Sequence, residues 1–184
     1  GQTSTGADFS GVYRNVGGSF FLTDAVIPDR VSSSVRFGDY DCDGDLDILL
    51  TGGTVDDTTS GYIHIFRNDG DFNFSQVEVS APGIRYGNAD FGDYNNDGWL
   101  DIALTGSAGT SNYISMILAG NSEGTFTEIP VTLPGLRYSR ISWCDFDCDG
   151  DLDILLSGSS SNSEPSVFKL FRNDGDDNFT EAPQ

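Results

Sequence analysis

Three short runs, residues 46–51, 100–105 and 152–157, are apolar at nearly every position, whereas the stretches around them alternate. A strand reads this way when both of its faces are covered. In the first run Leu46, Ile48 and Leu50 share one side and Leu49 takes the other. Alternating segments precede each run, at 35–38, 89–92 and 141–144, and follow it, at 62–66, 113–118 and 167–171. A last alternating segment starts at Phe74, Phe126 and Phe179 and is expected to reach Val79 in the first unit and Val131 in the second. Arg67-Asn68-Asp69-Gly70 and Arg172-Asn173-Asp174-Gly175 predict tight hairpin turns ahead of the first and third of these. No helical periodicity of useful length is present.

Each unit therefore predicts four antiparallel strands in about 53 residues. Pro28, Pro82 and Pro134 open the units, and residues 11–23 align with the second half of one. Four-stranded units in series, each with one strand buried on both faces, describe an all-β fold of β-propeller blades. The chain reads as a single propeller segment of about three and a half blades: a half blade in 1–30 and blades at 31–81, 82–133 and 134–184. A closed ring needs at least about four blades. The expectation is that a longer chain, of which this is a fragment, or a second copy in a homodimer completes it.

Between the first two strands of each unit lies an acidic nonamer: Asp39-Tyr-Asp41-Cys-Asp43-Gly44-Asp45-Leu-Asp47, then Asp93-Tyr-Asn95-Asn-Asp97-Gly98-Trp99-Leu-Asp101, then Asp145-Phe-Asp147-Cys-Asp149-Gly150-Asp151-Leu-Asp153. Two carboxylates held about 4 Å apart repel by several kcal/mol at an effective dielectric near 20. A cation resolves that conflict. Alternate residues of a tight loop aim at one centre, the glycine at position 6 supplies the turn, and an all-oxygen donor set favours calcium over zinc or copper. Acidic turns of ordinary Asp-Gly chemistry need one or two aspartates, not oxygen donors at positions 1, 3, 5 and 9 three times over. An EF-hand is excluded by Leu50, Leu104 and Leu156, which stand where it needs glutamate, and by the β-rich run that follows at once.

Composition narrows the function classes. With 37% hydrophobic residues, 13 Phe and 7 Tyr, the chain can bury a core and is not a disordered segment. Its formal net charge of −20 makes nucleic acid an unsuitable partner, since that binding begins with neutralisation of phosphates. Thirteen of the 29 acidic residues sit in the three loops, so three divalent ions would bring the charge to about −14. No apolar run approaches the ~20 residues of a membrane span, and no signal peptide is seen. The three cysteines, Cys42, Cys144 and Cys148, allow a 144–148 bridge or free thiols.

Phe37-Gly38 and Phe91-Gly92, leading into D-x-D-x-D-G-x-x-D and then Ile48-Leu49-Leu50-Thr51-Gly52, make the units resemble FG-GAP repeats, also called VCBS-like repeats. These are the calcium-loop blades of integrin α-subunit propellers and of many bacterial and fungal surface proteins. The third unit departs with Trp143-Cys144. The resemblance implies three Ca2+ sites on one face of the ring, with side-chain ligands Asp39, Asp41, Asp43 and Asp47; Asp93, Asn95, Asp97 and Asp101; Asp145, Asp147, Asp149 and Asp153. Main-chain carbonyls would come from Asp45, Trp99 and Asp151.

The function expected is that of a calcium-stabilised extracellular or cell-surface propeller, an adhesion or interaction module with a protein or glycan ligand. The alternatives are a lectin-type carbohydrate-binding propeller and a non-catalytic fragment of a polysaccharide-active enzyme. Ligand contact is expected opposite the metal loops, where Arg85-Tyr86 and Arg137-Tyr138 recur and Arg30 stands in the first unit. Packing between blades is the competing role for these residues. No catalysis is expected: the carboxylates are committed to the loops, and the one histidine, His64, alternates with Ile63 and Ile65 as a surface residue of a strand.

Overall fold

A computed structural model describes residues 9–57, 59–161 and 164–183, which form fourteen strands and no helix. The first eight residues of the expected half blade lie outside the described residues. β1 (Tyr13–Val16) and β2 (Ser19–Leu22) pair as an antiparallel hairpin. β3 (Val31–Gly38), β4 (Asp47–Gly53), β5 (Tyr62–Asn68) and β6 (Phe74–Glu78) form an antiparallel sheet in chain order. β7 (Arg85–Gly92), β8 (Asp101–Ser107), β9 (Tyr113–Gly120) and β10 (Phe126–Glu128) repeat it, as do β11 (Arg137–Cys144), β12 (Asp153–Ser159), β13 (Val167–Asn173) and β14 (Phe179–Glu181). The register repeats too: Gly38 faces Asp47, Gly92 faces Asp101 and Cys144 faces Asp153. The acidic nonamers are therefore the hairpin loops between the first two strands of each sheet.

The sheets stack face to face without closing into a ring. Leu49 and Ile65 of the first sheet meet Ile102 and Leu104 of the second in one core. Ala103 and Ile117, on the other face of the second sheet, meet Ile141, Ile154 and Leu156 of the third in another. Ile48, Leu50 and Phe66 turn the opposite way, towards Val12 and Ile27 at the N-terminal hairpin. This is why the central strands are apolar on both sides. Leu46, expected to share the Ile48 side, is 56% exposed because it falls in the loop, before β4 begins.

Adjacent sheets are keyed by the Phe-Gly pairs. A β-carbon on Gly38 would sit 2.7 Å from the Phe91 ring, and one on Gly92 would sit 2.5 Å from the Trp143 indole. Each glycine is the hollow that receives the aromatic of the next unit. Polar clamps reinforce the innermost strands. The wholly buried Asn88 amide donates to the Ile141 carbonyl at 2.9 Å and accepts the Ile141 N–H at 2.8 Å. Asp90 accepts from Arg36 Nε of the first sheet at 2.8 Å and from Ser142 Oγ of the third at 3.1 Å, so one carboxylate joins three sheets.

Several local expectations are corrected. The turn after β5 is not a tight Asn-Asp-Gly hairpin: Asp69 N–H donates to the Asn73 carbonyl and Asn73 N–H to that of Gly70, with left-handed backbone at Asp71 and Phe72. Asp69 turns back onto Arg67 and Ser75, which spends its side chain outside the turn. β6 ends at Glu78 and β10 at Glu128, short of the expected Val79 and Val131. His64 is half-buried, packed between Tyr62 and Phe66, not a surface residue. Cys42, Cys144 and Cys148 are free thiols.

Candidate metal centres

Each acidic loop is shaped first by its own backbone. The glycines at position 6, Gly44, Gly98 and Gly150, have φ of 94°, 89° and 98°, a turn that a β-carbon resists. Their N–H groups donate to the position-1 carboxylates of Asp39, Asp93 and Asp145 at 3.1, 2.9 and 3.2 Å. The position-5 carboxylates of Asp43, Asp97 and Asp149 accept from the N–H of Asp45, Trp99 and Asp151. Asp93 and Asp145 accept a second main-chain N–H on their other oxygen, from Asp97 at 3.0 Å and Asp149 at 3.2 Å, whereas Asp39 takes only the one from Gly44.

In the first and third loops that interior is a cluster of like charges. Carboxylate oxygens of Asp39, Asp41 and Asp43 lie within 4.8 Å of one another, as do those of Asp145, Asp147 and Asp149. Oδ1 of Asp39 and Oδ1 of Asp41 are buried without a hydrogen-bond partner. Burial, and then the neighbouring Asp43, push the Asp41 carboxyl above its ordinary pKa; burial and Asp149 do the same to Asp147. In the first loop, buried, unpartnered, mutually repelling oxygens at hard-ligand spacing fit a divalent cation; the third loop repeats the spacing with exposed carboxylates.

The middle loop solves the same problem differently. Asn95 Nδ2 donates to Asp97 Oδ2 at 3.1 Å, and Asn95 Oδ1 accepts from Asp97 N–H at 3.1 Å. An amide in place of a carboxylate removes one charge and supplies a donor. This loop forms no three-carboxylate cluster among the described residues.

The position-9 aspartates have a task that spacing alone does not reveal. Asp47, Asp101 and Asp153 are fully buried. In each, one oxygen accepts the N–H of the loop's second residue, Tyr40, Tyr94 or Phe146, at 2.9–3.0 Å. The other accepts a third-strand N–H, from Asn68, Gly120 or Asn173, at 2.8 Å. They strap the loop to its sheet, and each oxygen keeps a second lone pair. Burial outweighs these donors and lifts the Asp47 carboxyl to about 6 and that of Asp101 to about 7.

Position 4 carries contacts between loops. Cys42, Asn96 and Cys148 all have left-handed backbone, with φ of 59°, 56° and 62°. Cys42 Sγ lies 3.5 Å from the Gly98 carbonyl of the second loop, and Asn96 Nδ2 donates to Asp151 Oδ1 of the third at 2.8 Å. Asp151 thus has a side-chain role beside the carbonyl expected of it. Asp45 and Trp99 occupy the same position in their loops.

At the opposite end of the innermost strands the two Arg-Tyr pairs do recur in register, since Arg85 faces Ser107 and Arg137 faces Ser159. Arg30 does not join them: Val31 holds that register, against Gly53, and the Arg30 guanidinium lies over Tyr62 at 4.5 Å. Arg85 is buried, donating to the Asp57 carbonyl at 2.7 Å and to Tyr86 Oη at 3.2 Å. Arg137 donates to Tyr113 Oη at 3.2 Å. Tyr86 and Arg137 are half-buried, and Tyr138 is exposed. Arg140, beside them, carried no sequence signal because it matches no arginine in the other units.

Residues 53–104, from the end of β4 through the second acidic loop into β8, match the family model described as an FG-GAP-like repeat. No curated protein matches the chain. The chain carries an FG-GAP-like repeat in an all-β fold of stacked, incomplete propeller blades, and its acidic clusters are able to hold a metal ion.

Proposed function

We propose that this FG-GAP-like chain is part of a calcium-stabilised propeller that works outside the cell or at its surface, as a non-catalytic module for adhesion or protein interaction. The observation that carries the calcium reading is the pair of buried, unpartnered oxygens on Asp39 and Asp41, in a carboxylate cluster whose spacing recurs, with exposed side chains, at Asp145, Asp147 and Asp149. Asp39, Asp41 and Asp43, and their counterparts in the third loop, hold one ion each. Asp93, Asn95 and Asp97 hold a weaker third. Bound calcium supplies the positive charge that cancels carboxylate repulsion. The position-9 aspartates keep the loops strapped, and the carbonyls of Asp45, Trp99 and Asp151 complete the donor sets.

An ion that binds only the folded loops stabilises them by mass action, and extracellular millimolar calcium suits sites with dissociation constants of roughly 0.1–1 mM. Thermal melts in 2 mM calcium and in EDTA test the reading, with magnesium as the control for ionic strength. Coincident melts sink it.

The exposed apolar side chains Val35 and Phe37 on β3 and Phe168 on β13 support completion of the ring by further strands, from a longer polypeptide or a second copy. Mass in solution with and without calcium distinguishes these. A carbohydrate-binding role is the second reading, favoured by the two tyrosines at the end of the innermost strands away from the loops.

A further inference from the structure

All three innermost strands open with the same irregularity. The pairing register slips between Val31 and Ser34, between Arg85 and Asn88, and between Arg137 and Arg140. The second residue of each strand is left-handed: Ser32 at φ 51°, Tyr86 at 56° and Tyr138 at 47°. The bulge belongs to the fold, because every unit has it. Its occupant does not. Left-handed backbone favours glycine, asparagine or a small polar residue and penalises a bulky side chain. The first unit obeys with serine. The other two place a tyrosine there, and Tyr138 is 62% exposed, so burial does not offset the backbone strain. Strain of this kind collects at functional surfaces.

The two rings lie edge to face, with centroids 5.2 Å apart. With Ser32, Ser33, Gly87 and Arg140 they line an open cavity of about 280 Å³. Its chemistry is rich in donors. Tyr86 Oη accepts from Arg85, so its own O–H is left to donate. The Arg137 guanidinium stands 4.3 Å from the Tyr138 ring centre. Arg140 spends Nη1 on the Ser139 carbonyl and keeps its remaining N–H donors.

We propose that this cavity binds an acidic sugar, with the C–H face of a uronic-acid pyranose on Tyr86 and Tyr138 and its carboxylate on Arg140. Aromatic faces alone would accept a neutral sugar, and a guanidinium alone would accept any carboxylate; the combination selects a ring that carries both. This rests on the reading of the stacked sheets as a binding scaffold and names the ligand class of that scaffold.

The test is a titration of the full chain with D-glucuronate in calcium, followed by NMR of the tyrosine rings, with melting curves recorded alongside. The expected result is saturable shifts at Tyr86 and Tyr138, with D-glucose binding at least tenfold more weakly. Arg140→Gln and Tyr138→Gly each weaken glucuronate at least tenfold, and Tyr138→Gly melts no lower than the parent because glycine relaxes the bulge. No shift at either ring, equal binding of glucose, or undiminished binding by Tyr138→Gly overturns the proposal. So does N-acetylaspartate amide binding as tightly as glucuronate, which would assign the cavity to a protein carboxylate. The calcium melt is read independently, so loss of sugar binding with intact metal stabilisation counts against this site alone.

Discussion

The side-chain amide of Asn96 donates to the carboxylate of Asp151 at 2.8 Å, although the two are 55 residues apart. They belong to neighbouring acidic loops, and the contact ties the second loop to the third. A double-mutant cycle of Asn96→Ala and Asp151→Ala, read by thermal unfolding, is expected to give a coupling of about 0.5–1 kcal/mol, small because both groups are exposed. Strict additivity would remove the link.

Asp41→Asn separates the cost of the carboxylate from its use. The middle loop already runs on this chemistry, with Asn95 donating to Asp97. In EDTA the variant is expected to melt slightly higher than the parent, because a buried repelling charge is gone. In calcium it is expected to melt lower, with affinity reduced about tenfold, roughly 1.4 kcal/mol. Opposite signs in the two buffers are the signature, and calorimetry supplies the affinity.

Asp101→Asn tests the strap. The amide keeps one acceptor but turns a donor towards either the Tyr94 or the Gly120 N–H, which then lies buried and unpaired. A loss of about 2–4 kcal/mol is expected by denaturant unfolding, in EDTA as well as in calcium. A loss confined to calcium would mean that Asp101 acts only as a ligand.

His64 gives the pH dependence a defined sign. Burial holds the imidazole below its ordinary value of 6.5, with Arg30 adding to the effect and Glu78 opposing it. Below 6.5 the unfolded chain therefore binds more protons at this position than the folded one. The stability His64 contributes is present above that pH and is lost as pH falls through the depressed folded value. Melts of the parent and of His64→Gln between pH 5 and 8 should differ by a constant above pH 7 and by a declining amount below 6.5. A flat difference throughout would contradict the burial.

Gly92→Ala probes the stacking of sheets. Its β-carbon would meet the Trp143 indole at 2.5 Å, and that ring is itself stacked on Tyr94 at 5.8 Å. Overpacking of about 1–3 kcal/mol is expected in chemical denaturation.

The repeat, the strands and the loops were legible because they are written locally. Alternation marks strands, and Asp-Gly at fixed offsets marks the hairpins. What failed to show depends on residues that meet only when sheets stack. Asp47 looks like a ligand by spacing, and its bond to the Asn68 N–H is 21 residues away. Asp90 joins three sheets through Arg36 and Ser142, and neither partner shares a pattern with it. For Arg85 and Arg137 the recurring pattern left ligand contact and packing between blades both open, and their guanidiniums are turned onto the Asp57 carbonyl and the Tyr113 hydroxyl. The turn at 69–73 departs from its Asn-Asp-Gly signal because Asp69 is diverted to Arg67 and Ser75.

The hollows at Gly38 and Gly92 give the array a direction. Each of the first two units offers an aromatic knob on one side and a glycine socket on the other, and the first knob, Phe37, is 57% exposed. At the same register the third unit carries Cys144, which faces Asp153 as Gly38 faces Asp47. A sheet stacked beyond the third unit would therefore meet a side chain at the register where its predecessors offer a hollow.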